Sequence, residues 1–296
     1  MSARIGIAGC GYVGSALAQA LLSRGYAVWG LRRRPESLPA GVRGLAADLS
    51  DSAALARALS GADAPGAFDV AVFAAAAGRG GDDAYRATYV EGLANWMAAL
   101  ERHAPRHAFF TSSTSVYAQD DGSIVDERSA TDSGHYTGAR MIEAEAILAA
   151  SAFPGTSLRL GGIYGPGRTS LLERVRSGEA LLSPPPPRYT NRIHRDDAAG
   201  ALLHLIERAL AGRTPDPLYL GVDDEPADQA TVIRWLADRM GAPAPRAGPD
   251  DPPRAGARPS TNKRCSNARL RASGYAFRYP SFREGYGALI DAATGR

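Results

Sequence analysis

Cysteine is scarce in this chain of 296 residues: Cys10 and Cys265 are its two, too few for a disulfide framework, which points to a reducing compartment. No apolar run approaches the roughly 18 residues of a membrane span. The chain also enters its first strand-like run after Arg4 without the hydrophobic core of a signal peptide. The expected location is therefore the cytoplasm, with no membrane partner. Charge is balanced as well, because 34 basic and 31 acidic residues leave a formal net charge of +3 and form no continuous basic stripe. That removes nucleic acid from the expected partners. Neither an internal repeat nor a metal site is expected. What is plentiful is core-forming material: hydrophobic residues make up 45% of the sequence, ample for one large domain or two lobes sharing a core.

The most informative stretch is the first. Ile5-Gly6-Ile7-Ala8 enters Gly9-Cys10-Gly11-Tyr12-Val13-Gly14 and leaves as Ser15-Ala16-Leu17-Ala18-Gln19-Ala20-Leu21-Leu22; after Gly25-Tyr26 comes Ala27-Val28-Trp29-Gly30-Leu31. The pattern predicts strand, glycine turn, helix and second strand, a βαβ unit. Three glycines so spaced let the chain turn tightly, let a pyrophosphate approach the main chain and let the helix lie close to the strand. The phosphates would sit on free N–H groups at the positive end of that helix. Gly9, Gly11, Tyr12, Val13 and Gly14 are the candidate dinucleotide contacts. At the end of the second strand, where an NAD site usually carries an acid for the ribose 2'-hydroxyl, stand Arg32, Arg33 and Arg34. A guanidinium fork suits a 2'-phosphate and a carboxylate would repel it. NADP(H) is therefore favoured over NAD(H), with Arg32 and Arg33 as contacts; the alternative is a solvated basic turn.

Further along, Gly41 to Leu49 predicts a third strand ending in Asp48, followed by a helix from Ser50 to Leu59. In a doubly wound sheet the carboxyl ends of the strands line the ligand crevice, which puts Asp48 and Leu49 beside the adenine; alternatively Asp48 simply leads the helix. Phe68 to Phe73 is apolar throughout, as a strand buried on both faces must be. It exits into Ala74-Ala75-Ala76-Ala77, small enough for a ribose or nicotinamide to reach the backbone. Asp82 to Arg102 predicts a long amphipathic helix whose Tyr85, Tyr89, Leu93, Trp96, Met97 and Leu100 face a core or a dimer partner. Ala108 to Tyr117 begins as a strand and turns abruptly polar at Thr111-Ser112-Ser113-Thr114-Ser115. Ser133 to Arg140 starts another helix, on which Tyr136 and Arg140, four apart, share a face. Residues 241 to about 259, rich in Pro, Gly and Ala, predict a long loop.

Several of these features together resemble the extended short-chain dehydrogenases/reductases of the NAD-dependent epimerase/dehydratase group, in its smaller G-x-G-x-x-G branch and over nearly the whole chain. They are Gly9/Gly11/Gly14, Ser112 to Tyr117, Tyr136 with a cation four residues on, Arg159-Leu160-Gly161-Gly162-Ile163-Tyr164-Gly165-Pro166-Gly167-Arg168, and Asn191-Arg192-Ile193-His194-Arg195-Asp196-Asp197. The resemblance implies a Rossmann-type α/β fold, a doubly wound parallel sheet with a smaller C-terminal substrate lobe. The nucleotide domain would cover 1–167 with a return segment at about 191–221, and the substrate lobe 168–190 and 222–296. It further implies Ser113 as the group that orients the substrate oxygen, Tyr136 as acid/base, Gly162 and Ile163 beside the nicotinamide, and a homodimer formed through 82–102 and 136–150. Lys263 and Arg264 would form either a solvated basic face or contacts to an anionic substrate.

Two positions depart from the family pattern. Its lysine four residues after the tyrosine is Arg140 here, which keeps the charge and donors for the ribose but not ready deprotonation. An asparagine common in extended members is Tyr89. The expected activity is NADP(H)-dependent hydride transfer to or from a carbonyl/hydroxyl carbon of a small molecule. The alternatives are an epimerase or dehydratase that retains its cofactor, and a dinucleotide-sensing protein that has lost catalysis.

Overall fold

The computed structural model describes residues 2–61, 63–248 and 261–295. Five strands, β1 (Arg4–Ala8), β2 (Ala27–Arg32), β3 (Arg43–Ala46), β4 (Val70–Phe73) and β5 (His107–Ser113), join two later ones, Gly155–Leu160 and Leu218–Gly221. They form one seven-stranded sheet in the order Leu218–Gly221, Gly155–Leu160, β5, β4, β1, β2, β3. The ladders among β1 to β5 are all parallel. This is the Rossmann-type α/β fold expected. Its central strands are apolar on both faces because helices cover both: Ile5, Ile7, Val70, Val72, Phe109 and Phe110 are fully buried.

The helices bearing on the site are α1 (Tyr12–Ser23), α2 (Ser52–Ser60), α3 (Gly81–Tyr85), α4 (Gly92–Leu100) and α5 (Tyr136–Ala149). Two elements differ from expectation for identifiable reasons. β3 stops at Ala46, short of Asp48, whose carboxylate instead accepts from the Ser50 N–H and hydroxyl at 3.0 and 2.8 Å. Asp51 then caps α2, accepting the Ala54 N–H at 2.8 Å. The long helix expected over 82–102 is broken between α3 and α4 by a π-helical turn, Arg86–Glu91, the kind of bulge that re-aims side chains near functional sites.

By contacts the chain divides into two compact units: Met1–Val116, Thr131–Arg159 and Ala198–Tyr219 in the first, and Tyr117–Ala130, Leu160–Asp197 and Leu220–Arg296 in the second. Residues 117–130 join the second unit because Ile124–Val125 pairs in parallel with Arg264–Cys265. The second unit has its own core of Tyr164, Leu172, Val175, Val232, Leu236, Phe282 and Tyr286, supplied partly by the helices Gln229–Met240 and Phe282–Thr294. Of the loop expected from 241, Arg246–Ala247 pairs with Leu181–Leu182 and 249–259 lie outside the described residues. Among the described residues no helix is long and apolar enough to cross a membrane.

Candidate active site

The strand order reverses between β1 and β4, and in doubly wound sheets ligands bind at the carboxyl ends beside such a reversal. Here the two strand exits meet. Gly9 has φ +79, and a Cβ on it would lie 2.2 Å from the Ala75 Cα, so only glycine lets the first turn rest against the Ala74-Ala75 backbone. Gly14 holds α1 close to β1, since a Cβ there would come within 2.7 Å of the Gly9 carbonyl oxygen. Gly11 differs from both: an added Cβ would find nothing nearer than 3.9 Å, leaving an open cradle. No side chain caps α1 at Gly11, and the N-terminal end of a helix is the end that suits an anion.

Arg32 ends β2. Burial pushes the Cys10 thiol up, against the smaller opposing effects of the Ser15 hydroxyl and the Arg32 charge. Arg33 faces Asp48 at 3.9 Å, with both side chains well exposed. The Ser50 hydrogen bonds, and then Arg33, hold the Asp48 carboxyl below the usual range. The Leu49 carbonyl is anchored by the Asn95 side-chain amide at 2.9 Å.

Ser113 closes β5, and its hydroxyl accepts the Ser115 N–H at 3.1 Å. α5 lies directly on this turn because of Gly138: a Cβ there would come within 2.3 Å of the Ser115 carbonyl oxygen and 2.1 Å of the Ser133 hydroxyl. Sequence reading overlooked Gly138, although a glycine inside a helix is the available signal for close approach. A buried ion pair fixes the other end of α5. Glu145 accepts from the Ser112 hydroxyl at 2.6 Å and from two Arg159 nitrogens at 2.8 and 2.6 Å. Helix α5 is thus tied to β5 and to Gly155–Leu160.

Tyr136 is the first residue of α5. The His135 ring lies 4.3 Å from it and Tyr85 meets it edge-on at 5.4 Å. Tyr89, standing where the family has asparagine, presents its hydroxyl to the Ala77 N–H at 3.3 Å and so holds the loop leaving β4. Arg140 turns to α3, its Nε and Nη2 donating to the two Asp82 oxygens at 2.7 Å each. Its Nη1 donates to Glu143, which also faces Arg86 at 3.8 Å. The charge expected to face Tyr136 is therefore compensated on both sides.

In the second unit Gly162 and Ile163 lie in the strand Gly162–Tyr164, paired with Arg192 and Ile193; Gly162 is exposed and Ile163 half-buried. Lys263, the only lysine of the chain, is neither solvated nor turned to a ligand: it is 3% exposed and donates to the Tyr117 carbonyl at 3.0 Å and the Thr261 hydroxyl at 2.8 Å.

The sequence model of the NAD dependent epimerase/dehydratase family matches residues 5–221. The chain belongs to that family. It is 30% identical to a 3-diazoavenalumate denitrifying reductase of a Streptomyces species, over 96% of this chain and 99% of that protein. A 2-alkyl-3-oxoalkanoate reductase of Stenotrophomonas maltophilia shares 28% identity over 79% of this chain and 74% of its own length. A solved structure described as an NAD-dependent epimerase/dehydratase of Methylobacillus flagellatus superposes with a TM-score of 0.83 at 39% identity, covering 99% of this chain and 100% of that one. As a member of the epimerase/dehydratase family, the protein is an NAD(P)-dependent enzyme of the extended short-chain dehydrogenase/reductase type.

Proposed function

We propose that the protein is an NADP(H)-dependent oxidoreductase that moves hydride to or from the carbonyl/hydroxyl carbon of a small-molecule substrate. The observation that carries this reading is the contact at Gly138, which brings the helix of Tyr136 onto the turn of Ser113. The open cradle at Gly11 and the uncapped first turn of α1 fit a pyrophosphate. Arg32 and Arg33, with no acid before Glu36, suit a 2'-phosphate. Asp48 and Leu49 would border the adenosine, and Ala74 and Ala75 the ribose and nicotinamide. When bound, the nicotinamide supplies or accepts the hydride. Ser113 holds the substrate oxygen and Tyr136 gives it, or takes from it, a proton. Two relatives named as reductases favour net reduction over epimerisation.

Thermal unfolding titrated separately with NADPH, NADP, NADH and NAD tests the cofactor. A ligand specific to the folded state at about 100 times its Kd adds ~2.7 kcal/mol. Stabilisation by the phosphorylated pair alone supports the reading. Stabilisation by NAD, or NAD carried through purification, replaces it with an epimerase/dehydratase that retains its cofactor. For the chemistry, Tyr136→Phe should lower carbonyl reduction by orders of magnitude with cofactor affinity nearly unchanged; equal turnover removes Tyr136 from the mechanism.

A further inference from the structure

A continuous line of rings runs from Tyr136 into the sheet of the first unit. Tyr85 meets the Tyr136 ring edge-on at 5.4 Å and lies 5.2 Å from Tyr89, four residues on. Tyr89 in turn meets Phe110 of β5 at 6.4 Å, and Phe110 meets Phe73, the last residue of β4, at 5.9 Å. Each separation is that of an attractive aromatic pair. Phe73 and Phe110 are fully buried and Tyr89 is 8% exposed, so this end of the line is fixed in the core, while Tyr85 and Tyr136 are half-buried. Tyr89 has a second attachment, since its hydroxyl accepts the Ala77 N–H at 3.3 Å. Its ring thus serves Tyr85 while its oxygen holds the loop leaving β4. Tyr85 ends α3 and Tyr89 lies in the π-helical turn, and ion pairs bind this segment to α5 on both sides of Tyr85. Asp82 takes Arg140 at 2.7 Å and Arg86 faces Glu143 at 3.8 Å, which keeps Tyr85 in register with Tyr136.

We propose that Tyr85 and Tyr89 are positioning residues for Tyr136: through their two rings and the Tyr89 hydroxyl they fix the Tyr136 ring relative to the loop that leaves β4, so that the proton donor and the backbone bordering the cofactor keep one spacing. This rests on the reading given above of Tyr136 as acid/base and of the strand exit at Ala74-Ala75 as the border of the ribose and nicotinamide. In that reading a reduction gives the substrate carbon a hydride from the reduced nicotinamide dinucleotide, and gives the substrate oxygen the proton of the Tyr136 Oη–H bond, which water later restores. Both transfers converge on one carbon–oxygen bond. A displacement of Tyr136 against the loop by about 1 Å therefore costs rate, up to about a hundredfold, without loosening the cofactor.

The test is fluorine NMR of the full chain with fluorotyrosine incorporated at position 136 alone. Tyr89→Phe keeps the ring and removes the hydroxyl that takes the Ala77 N–H, and should shift the resonance. In a Tyr85→Leu background, which lacks the ring between the two, adding Tyr89→Phe should cause no further shift. In a Tyr85→Phe background, which keeps that ring, Tyr89→Phe should act as it does in the parent. With NADPH and a reducible carbonyl, Tyr85→Leu should lower kcat about 10–100-fold and leave the Kd for NADPH unchanged, while Tyr85→Phe keeps the parent kcat. A resonance that ignores Tyr89→Phe overturns the proposal. So does a Tyr89→Phe shift of the same size in the Tyr85→Leu background, and so does an unchanged kcat in Tyr85→Leu. The NMR measurement requires no turnover, so it is separate from the failure of the oxidoreductase reading, which full activity in Tyr136→Phe would reveal.

Discussion

His107 in the first unit and Asp223 in the second are both 2% exposed, yet one is matched by its surroundings and the other is not. The Thr156 hydroxyl donates to the Asp216 carbonyl at 2.8 Å and takes the His107 Nε2 proton at 2.8 Å, so the neutral imidazole is satisfied and burial pushes its pKa down to about 4. Asp223 accepts the Glu225 N–H through Oδ1 at 3.3 Å, while its Oδ2 has no hydrogen-bond partner; the Tyr164 hydroxyl and the Arg192 Nη1, in the same unit, have none either. Burial pushes the Asp223 carboxyl up to about 8, against the opposing charge of Arg192. His107 is buried with a complementary partner, whereas Asp223, Tyr164 and Arg192 carry polar atoms that cost desolvation without full return. Two opposite pH responses follow.

Breaking the matched side gives the largest expected effect. Glu145→Ala leaves Arg159, 5% exposed, as a buried charge without its carboxylate and should cost about 3–5 kcal/mol, measured by denaturant unfolding. A pair of this kind worth less than about 1 kcal/mol would remove the contrast between matched and unmatched buried groups.

The next effect is the acid response of the first unit. Between the ordinary imidazole value of 6.5 and about 4 for His107, the unfolded chain binds a proton that the native imidazole refuses, so stability is present above the window and falls as pH drops through it. The loss approaches about 3 kcal/mol. Replacing His107 with Gln should flatten hydrogen exchange of β5 across that window; an undiminished slope places the proton elsewhere.

Asp223 responds with the reverse sign. From the ordinary carboxyl value of 3.8 to about 8 the native carboxyl keeps a proton that the unfolded chain has lost, so its stabilising share is full at low pH and is lost as pH rises. Asp223→Asn should therefore protect the helix Phe282–Thr294 from hydrogen exchange at pH 8 by about tenfold and leave it nearly unchanged at pH 4. Equal effects at both pH values would mean that Asp223 acts through its shape alone.

The smallest effect belongs to the exposed pair at β2. Arg33→Ala removes a surface ion pair worth about 0–1 kcal/mol, so the unliganded Tm should barely move, while the Kd for NADPH should rise about tenfold and that for NADH stay level. A matching rise for NADH would assign Arg33 to the pyrophosphate or to structure.

How far the site was legible depends on the sequence distance over which each contact is made. The glycine turn was readable because its spacing over six residues dictates its geometry, and Gly9, Gly11 and Gly14 occupy three distinct environments, as that spacing requires. The helix of Tyr136 was readable from the same local logic. The final helix was not predicted, although Ser281 and Glu284 form the capping box that announces it. Tyr89 was visible only as a missing asparagine, and its hydrogen bond to Ala77 depends on where the π-helical turn aims its ring.

The sequence by itself determined the class of fold, the glycine turn and the residue types at the candidate site, because each follows from spacing within one strand, turn or helix. Only the tertiary structure decided what those residues face. Asp82 lies 58 positions from the Arg140 it grips, and Tyr117 lies 146 from the Lys263 that binds its carbonyl. Asp223 is left short of a partner by strands and helices gathered from across the second unit. Charge compensation and burial depend on distance in space, which a parallel sheet with long crossovers separates from distance along the chain.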